Sequence, residues 1–364
     1  MYNYDKRIVM TLDAGGTNFV FSAIQGNEEI VKPINYPSNA ANLDKCLQTL
    51  VDGFEAVMTQ LSEKPVAISF AFPGPADYPN GIIGDLTNFP SFRGGIALGP
   101  FLKEKFDMPV YINNDGDLYA YGEALAGVLP ELNKKLEDAG SPKRYKNLIG
   151  ITFGTGFGAG IAVDGKLHMG DNAAGGEIWC FRNKKFSSCI AEESVSIRAV
   201  KRVYAERSGD NSDLTPKDIF DIAEGTREGN KDAAIGAFEE LGEIAGDAIA
   251  QAVTLIDGIV AIGGGLVGAG KYIVPALVRE LNSSISLLNG NTFTRLPMKA
   301  FNLDSDAEFD AFKDGCVKMV NIPGTDKKVE YHAEKRFGVA TTKLGASKAI
   351  ALGAYAYALS QLGE

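Results

Sequence analysis

The chain has 364 residues, of which 45% are hydrophobic and 23% are charged, and its formal net charge is −10 at pH 7. That length favours two domains over one, and the composition is that of an ordinary globular protein. The acidic balance argues against a nucleic-acid partner, which requires a basic face, but not against a nucleotide, because a few backbone amides and one metal ion outweigh a diffuse negative field locally.

The cysteine pattern and the lack of long apolar runs bear on the compartment. The four cysteines are few and irregularly spaced, which gives no disulfide framework and favours reduced thiols. No stretch has the pattern of a signal peptide, and no apolar run is long enough to cross a bilayer. We therefore expect a cytoplasmic protein that has no membrane partner.

The first half of the chain is predicted to open with a β-hairpin. Apolar residues 8–12 run into a glycine turn, and residues 19–24 form the returning strand. A turn between two strands differs from Rossmann and Walker loops, which lead into a helix. The spacing of apolar residues predicts a helix over residues 42–62. A buried strand, a further short strand and a helix are predicted at residues 65–72, 108–112 and 116–126.

The second half repeats this strand–turn–strand pattern without repeating its residues. A hairpin is predicted from residues 148–153, a second glycine turn and residues 159–163. A long helical region is predicted over residues 191–252, and a buried strand at residues 256–262 ends in three glycines. A helix rich in small residues is predicted at residues 346–362. Two polar stretches are interpreted as surface additions, at residues 130–146 and 304–335.

The first glycine turn carries groups that suit a phosphate. Glycine allows a positive φ and a close approach of phosphate to the backbone, and successive amides in such a turn form an anion-binding concavity. Asp13, at the end of the strand, can hold Mg²⁺ through water, or it can simply cap its own turn. The second glycine turn favours the magnesium site. The candidate cofactor-binding residues here are Asp13, Gly15, Gly16, Thr17 and Asn18.

The second turn and the triple glycine are further candidates for a nucleotide site. Thr155 would donate its hydroxyl to a phosphate, as Thr17 would in the first turn, although ordinary β-propensity also explains both threonines. The three glycines let adenine or ribose lie against the backbone, or they form a plain left-handed turn between strand and helix. The candidate residues are Gly154, Thr155, Gly156, Gly263, Gly264 and Gly265.

Three polar side chains are candidates for sugar chemistry. Asp115 follows a short strand and can accept a proton from a sugar hydroxyl as that hydroxyl attacks phosphorus. Position alone favours the alternative that Asp115 caps the following helix. Asn114 can fix the same hydroxyl through its amide. Glu177 can bind a polyol, although its local context favours a solvated loop carboxylate.

The segment after Glu177 contains two cysteines and the single tryptophan. Cys180 and Cys189 are separated by eight residues with no Cys-x-x-Cys motif, and the chain has only two histidines, so a structural zinc site is not expected. We predict two buried thiols instead. Trp179 is predicted to belong to the core, and stacking on a sugar ring is the alternative.

In their order along the chain, these motifs resemble the ROK family of bacterial sugar kinases and repressors, within the actin-like ATPase superfamily. The resemblance extends over most of the chain. The matching stretches are residues 13–18 (first phosphate motif), 72–77 and 88–90 (sugar-side loops), 114–115 with 122–123 (catalytic signature), 154–160 (second phosphate motif), 176–178 (start of the sugar-and-zinc motif) and 262–266 (adenosine motif).

The resemblance implies an α/β fold with two actin-like (ribonuclease-H-like) domains flanking a nucleotide and sugar cleft. The first domain would comprise residues 3–115 and 346–364, and the second residues 116–345. It implies an ATP-dependent hexose kinase in which Asp115 is the catalytic base. ATP with Mg²⁺ would lie between the glycine turns, and its adenosine would lie near Gly264. The residues implied to bind the sugar are Asn88, Asn114 and Glu177. Relatives suggest a homodimer.

One departure from the family pattern affects the sugar pocket. The family continues Gly-Glu-Ile-Gly-His and then supplies a cysteine-rich zinc cluster, whereas Cys180 stands here in place of the histidine and only Cys189 resembles the end of the cluster. Zinc is therefore not expected, and Glu192 or Glu193 would replace a later sugar-binding carboxylate.

Two other functions remain as alternatives. The first is a sugar-binding regulator of the same family that does not phosphorylate, and the retained Asp115 disfavours it. The second is a dinucleotide oxidoreductase, which predicts glycine loops that lead into helices rather than strands. The identity of the hexose stays open.

Overall fold

The structure is a computed structural model that describes residues 2–74, 76–84 and 89–363. The chain forms two compact units. Unit 1 comprises Met1–Gly127, Gly160–Gly176 and Leu344–Glu364, and unit 2 comprises Val128–Ala159 and Glu177–Lys343. Across the described residues, no helix combines the length and the apolar character that spanning a membrane requires.

The strands of the first half build one six-stranded sheet and one short pair. They are β1 (Val9–Ala14), β2 (Asn18–Gln25), β3 (Glu28–Glu29), β4 (Ile34–Pro37), β5 (Ala67–Ala71), β6 (Ala76–Asp77), β7 (Ile82–Ile83) and β8 (Val110–Asn113). The sheet order is β3-β2-β1-β5-β8, with β4 on β2, while β6 pairs with β7. β1 and β2 are antiparallel, which confirms the predicted opening hairpin.

The parallel strands of this sheet bring the candidate residues to one edge. β1, β5 and β8 run parallel, and Asp13, Ala71 and Asn113 are register partners in one row across them. Because parallel strands end at the same edge of a sheet, the turn after β1 and the chain after β8 leave the sheet side by side. Asp13 and the residues after Asn113 therefore share this edge.

Four helices flank the sheet of unit 1, beginning with α1 (Leu43–Met58) and α2 (Leu98–Phe106). α1 begins where the Asn42 side chain accepts the Lys45 amide, and it ends four residues before the predicted limit. α3 (Asp115–Leu125) packs on α10 (Ala346–Leu362), whose bounds match the prediction. A Cβ on Gly122 would lie 1.9 Å from the Ala349 carbonyl oxygen, so these helices touch backbone to backbone. The core that α1 and α2 share with the sheet is rich in aromatic side chains: Phe19, Phe21, Phe54, Phe70, Phe72, Phe89 and Phe92.

A second six-stranded sheet repeats the arrangement. Its strands are β9 (Leu148–Phe153), β10 (Phe157–Val163), β11 (Lys166–Leu167), β12 (Ile259–Gly263), β15 (Lys299–Asn302) and β18 (Arg336–Thr341). The order is β11-β10-β9-β12-β18-β15. β9 and β10 are neighbours joined by residues 154–156, which confirms the second predicted hairpin. β9, β12, β18 and β15 are parallel.

Unit 2 contains one long helix among several shorter ones. They are α4 (Val128–Asp138), α5 (Ile197–Ser208), α6 (Pro216–Glu224), α7 (Lys231–Ile256), α8 (Gly270–Leu281) and α9 (Asp306–Asp314). α5, α6 and α8 pack on α7. The predicted helical region 191–252 is confirmed as three successive helices, because Gly209 (φ 76°) and Gly225 (φ 77°) end α5 and α6 in the left-handed conformation and so divide it.

The two stretches predicted as surface additions differ from each other. Residues 130–146 include most of α4, whose Leu132 and Leu136 are buried, so this stretch is partly core. Residues 304–335 include α9 and an exposed hairpin of β16 (Val317–Asn321) and β17 (Lys328–His332). A further short hairpin joins β13 (Ser284–Ser286) to β14 (Thr292–Thr294).

Candidate active site

The first glycine turn spans residues 15–17 and presents free amides. A Cβ on Gly15 would lie 2.9 Å from the Asn18 carbonyl oxygen, so the turn needs glycine for close approach. In the described part of the chain, the amides of residues 15–17 donate no hydrogen bond to the protein. Ser38, which is buried, donates its amide to the Thr17 carbonyl (2.8 Å) and its hydroxyl to the Gly16 carbonyl (2.6 Å). The carbonyls are thus held while the amides stay available to an anion.

The second glycine turn is braced by a carboxylate that sequence reasoning assigned to the sugar. The Phe157 amide donates to Glu192 Oε2 (3.1 Å), and the Gly154 carbonyl accepts the Ile197 amide (2.8 Å). A Cβ on Gly156 would lie 2.7 Å from Glu192 Oε2, which explains the glycine there. Arg198 pairs with Glu192 at 3.1 Å. Glu192 therefore holds this turn in shape.

The predicted role of positive φ in these two turns is wrong. Among the described glycines, none of Gly15, Gly16, Gly154 or Gly156 has a positive φ. The turns are three residues long and connect paired strands, and Gly15 and Gly156 serve close approach instead. The oxidoreductase alternative is also wrong, because both turns lead into strands rather than helices.

The triple glycine packs on the base of the second turn. Gly264 has φ 90°, and a Cβ there would lie 2.4 Å from the Phe153 carbonyl oxygen. The Leu266 amide donates to the same oxygen (3.0 Å). A Cβ on Gly265, by contrast, would meet no atom within 4 Å. Gly264 is thus required by the fold, whereas Gly265 faces open space.

Asp115 is free of the capping role that its position suggested. The N-cap of α3 is Asn114, whose Oδ1 accepts the Gly116 amide at 2.7 Å. Asp115 is the first helical residue, and its side chain is exposed. The Gly116 amide also reaches Asp115 Oδ1 at 3.0 Å. The helix-cap interpretation of Asp115 is therefore wrong.

The surroundings of Asp115 favour its protonated form. Although Asp115 keeps solvent-accessible surface, it lies among many protein atoms, and this desolvation raises the pKa of its carboxyl, while the backbone amides of Gly116 and Asp115 lower it. The negative charge of Asp13 raises it further, and the net pKa lies above the ordinary value. A carboxylate with a raised pKa is better suited to accept a proton near neutral pH.

Of the two polar side-chain atoms of Asn114, the amide nitrogen is the one that can contact a ligand. Its Oδ1 is committed to the helix cap, and Nδ2 lies 3.4 Å from the Tyr78 hydroxyl, which donates to the Phe72 carbonyl (2.9 Å). Asn88, the other predicted sugar-binding asparagine, lies outside the described residues.

Glu177 and the residues after it lie at the surface of unit 2. The Trp179 indole N–H donates to the Glu177 carboxylate, and Cys180 Sγ donates to the Glu177 carbonyl at 2.9 Å. Cys180, Cys189 and Trp179 are all exposed, so the predicted buried thiols and core tryptophan are wrong. The reason is a 3₁₀ turn at Ile178–Cys180 that inserts only Ile178 into the core.

Buried acids on α7 and α8 anchor the segment that departs from the family pattern. Lys184 pairs with Glu280 at 2.7 Å, and Lys185 pairs with Glu240 at 2.7 Å. Arg207 of α5 reaches the second oxygen of Glu240, also at 2.7 Å. Glu240 is 7% exposed and therefore bridges two cations inside the protein.

Replacing Glu240 with glutamine should destabilise the protein more at neutral than at acidic pH. Burial alone raises the pKa of Glu240, but hydrogen bonds from Lys185 and Arg207 outweigh it, so the pKa lies below its ordinary value. A carboxyl with a lowered folded-state pKa stabilises the fold above its unfolded pKa and loses that contribution as the pH falls through the folded value. Urea unfolding should show a loss of about 1–3 kcal/mol at pH 7.

The matched control for that experiment is Glu243→Gln. Glu243 is half exposed, and among the residues that the structure describes it pairs only with Lys184, at 2.8 Å. Exposed pairs contribute roughly 0–1 kcal/mol, so this variant should change the unfolding free energy little. Equal losses in the two variants, or a Glu240→Gln loss that grows towards acidic pH, would contradict the anchoring role.

The carboxylates at the edge of the first sheet fit a magnesium ion that also binds phosphate. Asp13 is exposed at the end of β1, and its charge acts on Asp115. Among residues 2–74, 76–84 and 89–363, no three His, Cys, Asp or Glu side chains are grouped to hold a metal. Magnesium typically uses one or two carboxylates, waters and substrate phosphates, and such a donor set fits this edge.

Known proteins resemble this chain over most of its length. The sequence profile of the ROK family matches residues 9–305. The chain belongs to the ROK family. A crystal structure of a glucokinase from Parabacteroides distasonis ATCC 8503 is 62% identical, has a TM-score of 0.90 and covers 99% of both chains. The glucokinase of Thermotoga maritima is 24% identical over 301 residues, which are 74% of this chain and 85% of that protein.

The family also contains regulators. A xylose repressor of Bacillus spizizenii is 28% identical over 144 residues, which are 39% of this chain and 33% of the repressor. The family and the fold class predicted from the sequence, α/β with two actin-like domains, are confirmed. Ser38 and the bracing role of Glu192 were missed, since no local motif marks either residue.

Proposed function

We propose that this ROK protein is an ATP-dependent hexose kinase in which Asp115 is the general base. The observation that carries the proposal is an exposed carboxylate, released from helix capping, at the same sheet edge as the first glycine turn. Its raised pKa suits a base, and the glucokinases among the relatives support the reaction class. Transfer of the γ-phosphoryl group depends mainly on positioning and charge stabilisation, which fits a site built from backbone amides.

ATP is proposed to bind through the two glycine turns and the triple glycine. The free amides of residues 15–17 and the hydroxyls of Thr17 and Thr155 are donors for phosphate oxygens. The open space beside Gly154 and Gly265 supports a ligand at both positions. Asp13 would hold Mg²⁺, through water, and the ion would neutralise charge on the transferred phosphoryl group.

The sugar is proposed to bind beside Asp115. Asn114 would contribute its amide nitrogen, because its oxygen caps α3, and Asn88 and Glu177 would accept or donate further hydroxyl contacts. The indole of Trp179 orients the Glu177 carboxylate. Asp115 would take the proton of the attacking hydroxyl, so that the oxygen gains nucleophilicity as the bond to phosphorus forms.

A panel of hexoses with MgATP tests this function. ADP formation should be measured with glucose, mannose, fructose and N-acetylglucosamine, together with the rise in melting temperature that each sugar produces. Turnover of at least one sugar is expected. Sugars that raise the melting temperature without any ADP formation would instead support the regulator alternative, which the repressor relative keeps open.

A further inference from the structure

A cavity of about 630 Å³ lies in unit 2 at the edge of the sheet opposite the second glycine turn and the triple glycine. Its lining includes Asp257, just before β12, Met298, just before β15, and Arg336, the first residue of β18. These positions are the amino ends of parallel strands, whereas the second glycine turn and the triple glycine follow the carboxyl ends. The cavity is therefore separate from the proposed nucleotide residues. Its volume is in the range of small-molecule sites, roughly 300–1,000 Å³.

A buried cation forms part of the cavity wall. Arg336 is only 7% exposed. Its Nε donates to the Phe312 carbonyl and its Nη2 to the Lys313 carbonyl (3.3 Å), which are the last carbonyls of α9. Among the residues that the structure describes, no carboxylate pairs with it. Burying a charge is costly unless it is paired, so this guanidinium favours an anionic partner.

Glycine at the end of α9 makes room for this side chain. Gly315 has φ 58°, and a Cβ there would lie 1.9 Å from Arg336 Nη1. The buried Ser141 donates its hydroxyl to the Lys313 carbonyl (3.0 Å), and the Tyr145 hydroxyl donates to the Arg336 carbonyl (2.9 Å). The guanidinium is thus held in place by buried backbone and side-chain contacts and not by a flexible surface contact.

The rest of the lining offers groups of both signs. Lys143 and Lys335 are exposed at the cavity and can add to an anion site, whereas Lys313 already pairs with Asp310. Asp257 and Asp314 are exposed acceptors for hydroxyl groups. Nη1 of Arg336 donates to neither carbonyl and remains as a donor for a phosphate oxygen, and carboxylates accept from polyol hydroxyls.

We propose that this cavity binds a phosphorylated sugar, with the phosphate at Arg336 and the hydroxyls on the carboxylates. Such a ligand has the chemistry of the product of the proposed kinase reaction, and only that link rests on the proposed function. The cavity would make the protein responsive to phosphorylated sugar at a place other than its active site.

Hydrogen–deuterium exchange with glucose 6-phosphate, glucose and inorganic phosphate as separate probes tests the site. Glucose 6-phosphate should slow exchange in residues 306–318 and 333–337 of the wild-type protein. It should do so at concentrations at least tenfold lower than inorganic phosphate needs. In Arg336→Met, the glucose 6-phosphate concentration that slows exchange should rise at least tenfold. In Lys335→Met, which changes the rim of the cavity, this concentration should rise less.

Several results would overturn the proposal. They are no slowing in these residues with glucose 6-phosphate, an equal response to inorganic phosphate or glucose, and an unchanged response in Arg336→Met. Lys335→Met changes only an exposed side chain, so it keeps the test valid if Arg336→Met does not fold. The readout is binding and not turnover, so a chain that lacked kinase activity would leave this test intact.

Discussion

Replacing Asp115 with asparagine is expected to lower kcat by about 10²–10⁴-fold, the range that a positioned general base contributes. Asparagine keeps the size of the side chain and an oxygen that can accept the Gly116 amide, but it cannot take a proton. The KM for sugar should therefore change much less than kcat. Initial rates over a range of sugar concentrations at saturating MgATP measure both quantities.

The same substitution should raise the melting temperature at pH 7. Desolvation and the charge of Asp13 raise the pKa of Asp115 above its ordinary value. A carboxyl whose folded-state pKa is raised stabilises the fold below its unfolded pKa, and that contribution is lost as the pH rises through the folded value. At pH 7 the ionised group therefore destabilises the fold, and asparagine removes this effect.

Asp52→Asn is the control, because Asp52 is an exposed aspartate of α1. It should change neither kcat nor the melting temperature. An Asp115→Asn protein that kept more than a tenth of the wild-type kcat would rule out the base role. A fall in both kcat and melting temperature would indicate structural damage instead.

Replacing Gly264 with alanine should destabilise the protein by about 2–5 kcal/mol, from the left-handed backbone and from overlap with a fixed carbonyl. The backbone φ is 90°, and the new Cβ would lie 2.4 Å from the Phe153 carbonyl oxygen. Neither atom belongs to a flexible side chain, so β9 and β12 would have to separate at the base of the second turn. Urea unfolding measures the loss.

Gly265→Ala is the matched neighbour. Its Cβ would enter open space, so the unfolding free energy should stay within about 0.5 kcal/mol of wild type. Because adenosine is proposed to occupy that space, the KM for ATP should rise about tenfold. If the two variants were equally stable, the packing role of Gly264 would be wrong. An unchanged KM for ATP in Gly265→Ala would indicate that adenosine does not bind beside Gly265.

The hairpins and the last helix could be predicted because their signals are local. Apolar runs flank a glycine turn in both hairpins, and residues 346–362 have one continuous helical composition. The breaks in the long helical region were also marked locally and were missed. Gly209 and Gly225 are typical helix ends, and Thr215 with Pro216 and Asp218 forms the capping box that begins α6.

The candidate site also combines features that local sequence signals predict with features that depend on tertiary contacts. Asp13 lies at the end of β1 and Asp115 comes shortly after β8, so their meeting at one sheet edge follows from parallel pairing. Ser38 and Glu192 support turns that lie 21 and more residues away in sequence, and only tertiary packing reveals such contacts. The exposure of Trp179 and Cys180 likewise depends on a surface 3₁₀ turn that composition does not signal. The domain limits and the site roles stay predictions.

A crystal structure of the protein with a turned-over hexose and a non-hydrolysable ATP analogue would show whether Asp115 is the general base. An Asp115 carboxylate oxygen is expected about 2.6–3.2 Å from one sugar hydroxyl, the reach of a general base. The backbone amides of residues 15–17 are expected to contact phosphate oxygens. A sugar bound away from Asp115, with that carboxylate contacting only the Gly116 amide, would contradict the base role.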